Sequence, residues 1–408
     1  MALDLKKLKG ISKNPWSFIL SDENNPYEIM GYVDSGCYIL NALMCEGDIY
    51  GGLPLGKRII LSGQSSTAKS YFADYLIKSY LDKYKKGIVI LFETEGSSIA
   101  QTAKEIGIDM TRVIIEPVRE VEELHKLIIR YCEDIEADYL KTGKRTQLTF
   151  VIDSLGMLSS KKELDDKLAG NDVSDMTRAK MIKGMFRAVS LKLSLLQTPM
   201  IVVNHTYSKI GGYGDSQVAS GGSGAQYSPD VHLFLSKKQR KIGAIQTGVT
   251  ITAKVKKSRW IKENIKCELG LEFDKGLVKC SYLPQLAGML GMLQMKDEKT
   301  IIFEGQEYGI SRAEKDFETI FGEENMKKLA VKIKDNFSFG ESELDIEFLS
   351  VDQLAVFGVS YGIISEKPRS FVLPDGTKIK KNDLRADNSL MPDEIIQKIK
   401  EKLREENG

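Results

Sequence analysis

Histidine is nearly missing from this chain, with three in 408 residues, which argues against a His-based metal site. Cysteine is sparse as well. The five (Cys37, Cys45, Cys132, Cys267, Cys280) are odd in number, scattered and never spaced CxxC, so neither a disulfide framework nor a zinc knuckle is expected. No apolar run reaches the roughly 18 residues that a membrane span needs. The start, MALDLKKLKG, lacks a signal-peptide core, so a cytosolic protein without a membrane partner is expected. An excess of one charge is lacking too: 58 basic against 57 acidic residues give net +1, so any nucleic-acid signal must be local. What is present is ordinary globular material, 42% hydrophobic and 28% charged with mean hydropathy −0.22. At about 150 residues per domain, two to three domains are expected.

Short β-rich apolar runs at Arg58–Leu61, Ile88–Phe92, Thr149–Ile152 and Ile201–Val203 alternate with helical patterns at Tyr71–Tyr84, Glu120–Ile135 and Ala179–Leu196. That alternation predicts an α/β fold with a mostly parallel sheet and helices on both faces. Runs at Val231–Leu235, Val249–Val255 and Cys267–Phe273 have no long helix between them and read as antiparallel additions. The pattern ends near Tyr282. Three parts are therefore expected: residues 1–50 as an N-terminal segment, 51–282 as the core, and 283–408 as a small C-terminal domain.

The stretch Gly63-Gln64-Ser65-Ser66-Thr67-Ala68-Lys69-Ser70 follows a strand and opens a helix. It fits the phosphate-binding pattern G-x-x-x-x-G-K-[ST], with Ala68 where the second glycine belongs. Such a loop curls backbone N–H groups round phosphates at a helix N-terminus, with Lys69 on the β/γ-phosphates and the Ser70 hydroxyl for Mg²⁺. ATP and Mg²⁺ are the cofactors this predicts. The apolar strand Leu148–Ile152 ends in Asp153, as metal coordination beside a nucleoside triphosphate requires, although a helix-capping Asp is the plainer alternative. Glu93 and Glu95 end a neighbouring strand, and either could orient the attacking water; spacing alone does not choose. His205 ends a fourth strand, where a polar side chain could touch the γ-phosphate.

Two long polar stretches leave the same carboxyl edge, where ligands of open α/β sheets bind. One spans Ser159–Met176. The other, Thr206–Pro229, holds six glycines (Gly211, Gly212, Gly214, Gly221, Gly222, Gly224) and few core-forming residues. From Lys237 to Lys262 there are nine Lys/Arg and no Asp or Glu, a local bias suited to phosphate contacts or to a solvated basic hairpin. Within it, Lys257 and Arg259 lie two apart, so on a strand both side chains point the same way. They could reach a neighbouring protomer's γ-phosphate as an arginine finger does, or bind DNA phosphate.

Taken in order, GQSSTAKS, LFETEGS, LTFVIDSLGMLSSKKE, VSDMTRAKMIKGMFR, VVNHTY, the GGSG loop and KKSRWIKE resemble the RecA-type strand-exchange recombinases, most of all the UvsX recombinases of tailed bacteriophages. The resemblance covers roughly Gly51 to Tyr282. It implies a RecA-like ATPase core, with Glu95 as the water-activating acid and His205 as the γ-phosphate sensor. It also implies DNA-binding loops at about Leu158 to Asp175 and Tyr207 to Tyr227, the latter including Lys209, Gly211, Gly212, Gly221 and Gly222. Lys257 and Arg259 match the family's paired basic residues that act across the protomer interface. Further implications are helical self-assembly on single-stranded DNA, pairing with duplex DNA, and work beside mediator and single-strand-binding proteins in a bacterial host's cytoplasm. The first fifty residues would dock on the neighbouring protomer. Two other classes use related cores: a hexameric helicase, which normally carries a larger N-terminal domain, and a regulatory ATPase, which would leave the glycine stretch and basic run unexplained.

Overall fold

The computed structural model describes residues 5–20, 25–96, 99–170, 177–208, 217–242, 245–272, 275–297 and 299–339, and beyond these 354–355, 358–359, 361–367, 370–380, 384 and 390–407. The chain opens with α1 (Leu5–Lys9), β1 (Tyr32–Val33), the wholly buried α2 (Tyr38–Met44) and β2 (Leu53–Pro54). Four strand–helix alternations and a fifth strand follow: β3 (Arg58–Gly63), α3 (Lys69–Lys83), β4 (Ile88–Glu93), α4 (Ile99–Ile106), β5 (Val113–Pro117), α5 (Val121–Thr142), β6 (Leu148–Asp153), α6 (Lys161–Leu168), α7 (Thr177–Leu196) and β7 (Met200–Ser208). Next come β8 (Gln217–Ala219), α8 (Gly222–Tyr227), β9 (Val231–Ile242), β10 (Ile245–Ser258), β11 (Lys266–Glu272) and β12 (Gly276–Leu277).

These strands form one sheet in the order β12-β11-β10-β9-β3-β7-β6-β4-β5, with β8 paired to β7. All pairs from β9 to β5 are parallel. The central strands are buried end to end, so they carry continuous apolar runs rather than alternation with polar residues. Their side chains divide between two cores by the period of two. Ile59, Leu61, Val89, Leu91, Val151 and Val203 join α3 (Phe72, Leu76, Tyr80) and α2 on one face. Ile60, Ile90, Phe150, Ile152 and Val202 join α5 and α7 on the other. On α7, Ile182, Phe186, Val189, Leu193 and Leu196 recur at three and four residues, the apolar stripe of a helix facing a core.

Three sequence expectations change. Val231–Leu235 is not an antiparallel addition, because β9 runs parallel to β3 (Ile59↔Val231 to Gly63↔Leu235). Within this sheet β10 to β12, and β8 on β7, are the strands antiparallel to their neighbours. A parallel return needs a crossover of a dozen or more residues, which need not be a long helix. Here β8, α8 and the chain around them supply it, and the Asp230 carboxylate seats the returning strand by accepting from the Arg58 N–H at 2.9 Å. A fifth parallel strand, β5, escaped the sequence reading because it is short, lies at the sheet edge and leaves Ile114 and Ile115 about half exposed.

The third change concerns the C-terminal part. α9 (Leu283–Met289), the small sheet of β13 (Gln294–Asp297), β14 (Thr300–Phe303) and β15 (Gln306–Gly309), α10 (Ile310–Phe321) and α11 (Glu323–Phe337) bury Leu283, Ile301, Phe317, Leu329 and Ile333 in the same core as α2 and α3. A boundary after Tyr282 therefore does not divide two cores. Among the described residues, separate small cores form around β16 (Ser365–Lys367), β17 (Ser370–Val372), β18 (Lys378–Lys380) and α12 (Asp393–Asn407). Within residues 1–50, α2 belongs to the main core. No helix among the described residues is long and apolar enough to cross a membrane.

Candidate nucleotide site and its flanking loops

Register brings four strand ends to one edge. Gly63 lies beside His205 across β3 and β7, and Glu93 lies beside Asp153 across β4 and β6. From Gly63 the chain turns through Ser66 and Ala68, both left-handed (φ 59° and 62°), into α3. Alternating hands make a concave run of N–H groups suited to an anion. Gly63 is required here, since a Cβ would lie 2.5 Å from both the Leu235 carbonyl oxygen and the Thr67 hydroxyl. Thr67 Oγ1 and Lys69 Nζ both donate to the Gln64 carbonyl, at 2.8 and 2.7 Å. Lys69 is buried, which lowers its pKa, against the opposing pull of Asp153 and Glu95. A buried ammonium facing two acids beside a nest of N–H groups is arranged for phosphate.

Burial raises the Asp153 pKa, while a hydrogen bond from the Ser70 side chain works against it. Hydroxyl and carboxylate oxygens suit a hard cation such as Mg²⁺. Among the described residues no cluster of three acidic, His or Cys side chains could hold a metal alone, so phosphate oxygens and water would complete its shell. The Asp153–Ser154 peptide is cis.

Geometry separates the two acids that spacing left open. Glu93 folds onto its own turn, accepting from the Glu95 and Gly96 N–H groups at 2.9 Å each. Glu95 Oε1 instead meets Ser154 Oγ at 2.6 Å and His205 Nε2 at 2.9 Å, with about a third of the side chain exposed. Burial pushes its carboxyl up, but the Ser154 and His205 hydrogen bonds outweigh it and the pKa is lowered, favouring the anion. His205 is held in turn by Gly156, where a Cβ would come within 2.8 Å of the ring.

The two expected loops are more structured than composition indicated. In the first (Leu158–Asp175), Ser160 caps α6, its Oγ accepting from the Glu163 N–H at 3.0 Å; residues 171–175 lie outside the described residues. In the second (Tyr207–Tyr227), β7 runs on to Ser208, β8 pairs back on it, and α8 follows; Lys209, Gly211 and Gly212 lie outside the described residues. Gly221 (φ 89°) and Gly222 (φ 63°) turn the chain into α8. At Gly224 a Cβ would sit 2.7 Å from the Lys183 backbone. These glycines serve close packing of α8 on α7, a use that composition does not distinguish from mobility.

Lys257 and Arg259 stand at the opposite, amino edge. Lys257 pairs in register with His232, and Arg259 N–H bonds the Asp230 carbonyl, level with Arg58. Arg259 is thus five strand residues from the level of Gly63, about 17 Å, and Lys257, level with Ile60, is three, about 10 Å, with β9 between. Neither side chain reaches its own chain's phosphate loop. Lys257 Nζ donates to the carbonyls of Tyr227 and Pro229, and Arg259 Nε lies 2.7 Å from Asp230 Oδ1. The same carboxylate holds Arg58 in a buried ion pair at 3.0 Å.

Sequence reasoning missed one buried polar pair: Ser62 Oγ lies 2.7 Å from His232 Nε2, both fully buried. The two are 170 positions apart, and nothing local marks either.

The RecA N-terminal domain family matches residues 18–278. The chain is 34% identical over 248 residues to the recombination and repair protein of Enterobacteria phage T4, covering 61% of each. It is 25% identical to the mitochondrial DNA repair protein recA homolog 3 of Arabidopsis thaliana (58% of this chain, 53% of that one) and 27% identical to protein RecA of Mycoplasma genitalium (56% and 64%). The matches thus span between about half and two thirds of those relatives' lengths. With the family match covering well over half of the sequence, and the phosphate loop, acidic strand ends and parallel sheet in place, the chain belongs to the RecA family.

Proposed function

We propose that this protein is an ATP-dependent recombinase that assembles as a helical filament on single-stranded DNA and pairs it with homologous duplex. The observation that carries the reading is the Glu95–His205 contact at 2.9 Å, since it joins a water-activating acid to the strand that leads into the second loop. ATP would supply the phosphoanhydride whose cleavage drives the cycle, and Ser70 and Asp153 would hold Mg²⁺, which would offset the phosphate charge. Lys69 and the loop N–H groups hold the phosphates. Glu95, kept anionic by Ser154 and His205, takes the proton of an attacking water. DNA is bound by the loops at 158–175 and 207–227, and binding reorients His205 and hence Glu95. Lys257 and Arg259 act on the neighbour's nucleotide, which fits their distance from their own phosphate loop. An element within residues 1–50 docks on the neighbouring protomer, and the described residues from 354 onward form separate small clusters. Mediator and single-strand-binding proteins are the expected partners, in a bacterial host's cytoplasm if the chain is phage-encoded, as the T4 relative's is.

Electron microscopy with single-stranded DNA and a slowly hydrolysed ATP analogue tests this. Extended helical filaments are expected. Closed rings would instead mean a hexameric helicase, and no DNA-dependent assembly a regulatory ATPase. Lys69→Ala is expected to abolish hydrolysis nearly completely, and turnover near the parent rate would remove the phosphate-loop assignment.

A further inference from the structure

Arg178 is the second residue of α7, where a cation opposes the positive end of the helix dipole, so helix stability does not account for it. It is half-buried, and its hydrogen bonds among the described residues go to carbonyls and a hydroxyl rather than to a carboxylate. Nη2 reaches the carbonyls of Leu155 and Gly156 at 3.0 Å each and Ser220 Oγ at 3.2 Å, while Nε donates to the Leu158 carbonyl. Leu155 to Leu158 is the base of the first loop. Ser220 is where the second loop rejoins the fold. Ser220 is also fixed from the other side: its N–H donates to the His205 carbonyl and its carbonyl accepts from Asn204 Nδ2, both at 2.9 Å. Asn204 Oδ1 in turn accepts from the His205 N–H at 2.9 Å. His205 rests on Gly156, and the circuit closes. This one guanidinium hydrogen-bonds both loop bases at once. A planar fork of five donors can serve carbonyls and a hydroxyl in several directions at once, which an ammonium on a single stem does less well.

We infer that Arg178 is a positioning residue that locks the bases of the two loops into one junction, so that a strand seated in either loop is felt in both and at His205. The inference rests on the reading of these loops as DNA contacts. It predicts that both loops respond to DNA as a unit, and that cutting the junction separates DNA binding from stimulation of hydrolysis.

The test compares ATP turnover with and without a poly(dT) oligonucleotide, and hydrogen exchange over 155–160 and 217–226, in the parent chain, Arg178→Ala, Arg178→Lys, Ser220→Ala and the double Ala variant. In the parent chain the oligonucleotide should raise turnover and protect both segments. Arg178→Ala should keep DNA-free turnover within about twofold, lose at least about fivefold of the stimulated rate, and no longer protect both segments together. Arg178→Lys should recover part of the stimulation. Ser220→Ala should show the same loss, and the double variant should be no worse than either single one, because both cut the same bond. Stimulation and joint protection that survive in Arg178→Ala, or losses that simply add in the double variant, would overturn the junction. Should Arg178→Ala fail to fold, Ser220→Ala decides alone, since it leaves the three carbonyl bonds in place: parent-like stimulation refutes the inference. A parent chain that neither binds nor responds to the oligonucleotide refutes the DNA reading itself, and the junction with it.

Discussion

Ala68 shows how one atom bears on the phosphate loop. Its φ of 62° costs a residue with a Cβ about 1 kcal/mol or more. Glycine would remove that cost but add roughly 0.5–1 kcal/mol of unfolded-state entropy. Ala68→Gly should therefore leave the thermal midpoint nearly unchanged or slightly higher, with hydrolysis retained; a marked loss of ATP affinity would show that the methyl itself contacts the nucleotide. At Glu95 the expectation is different. Glu95→Gln keeps the size and the Ser154 hydroxyl within reach but cannot accept the water's proton. Nucleotide and DNA binding should persist while turnover falls by about 10²-fold or more, leaving long-lived filaments. Equilibrium ATP binding and single-turnover hydrolysis separate the two effects, and loss of binding instead would return Glu93 to candidacy.

At the level of elements, α8 and α7 each carry a glycine, with opposite roles. Gly224 faces the Lys183 backbone with no room for a Cβ, so Gly224→Ala should part the helices and destabilise by about 1–3 kcal/mol. Gly184, on α7, has nothing near its missing Cβ, and Gly184→Ala should stabilise by about 0.5–1 kcal/mol through helix propensity. Denaturant unfolding of the two variants checks both signs; equal effects would mean that the close approach does not govern this contact. Both loops were legible as polar and glycine-rich stretches, yet not as β8, α6 and α8. Composition registers the glycines, whereas the reason for them lies on a helix 40 residues earlier.

For the molecule as a whole, the shared core makes truncation informative. A chain ending after Tyr282 would strip Leu283, Phe317, Leu329 and Ile333 from the core of α2 and α3, and should fail to unfold cooperatively. One ending after Phe339 should keep a cooperative transition, because the described residues from 354 onward form their own small clusters. The buried His232 sets an acid limit on stability. Burial, with Lys257 and Lys256 nearby, lowers its pKa to about 3, so the folded chain keeps the ring neutral while the unfolded chain protonates it below its ordinary value of about 6.5. Its contribution is present above about pH 6.5 and is lost as pH falls toward 3, at up to roughly 1.4 kcal/mol per pH unit. His232→Gln, which removes the titration, should flatten stability between pH 7 and 5 relative to the parent chain; identical slopes would exonerate this ring. Between protomers, mixing Lys69→Ala with Arg259→Ala should restore part of the hydrolysis if Arg259 acts in trans, since some interfaces then join an intact phosphate loop to an intact basic pair. Recovery by raising DNA or lowering salt, without rescue on mixing, would assign Arg259 to DNA phosphate.

The sequence by itself determined the phosphate loop, the acidic strand ends and the parallel sheet, because each is written in consecutive residues: a β-rich run, a small-residue turn, a helix period. It offered either carboxylate of the Glu-Thr-Glu run, and spacing could go no further. Tertiary structure sets the two apart, since Glu93 accepts from its own turn and Glu95 is met by Ser154 and His205, 59 and 110 positions away. Tertiary structure also decided that β9 returns parallel, that residues 283–337 share the main core, and that Asp230 and Arg178 each gather groups from distant segments. Such contacts have no local signature, because they depend on which strands pair and which helices lie over them.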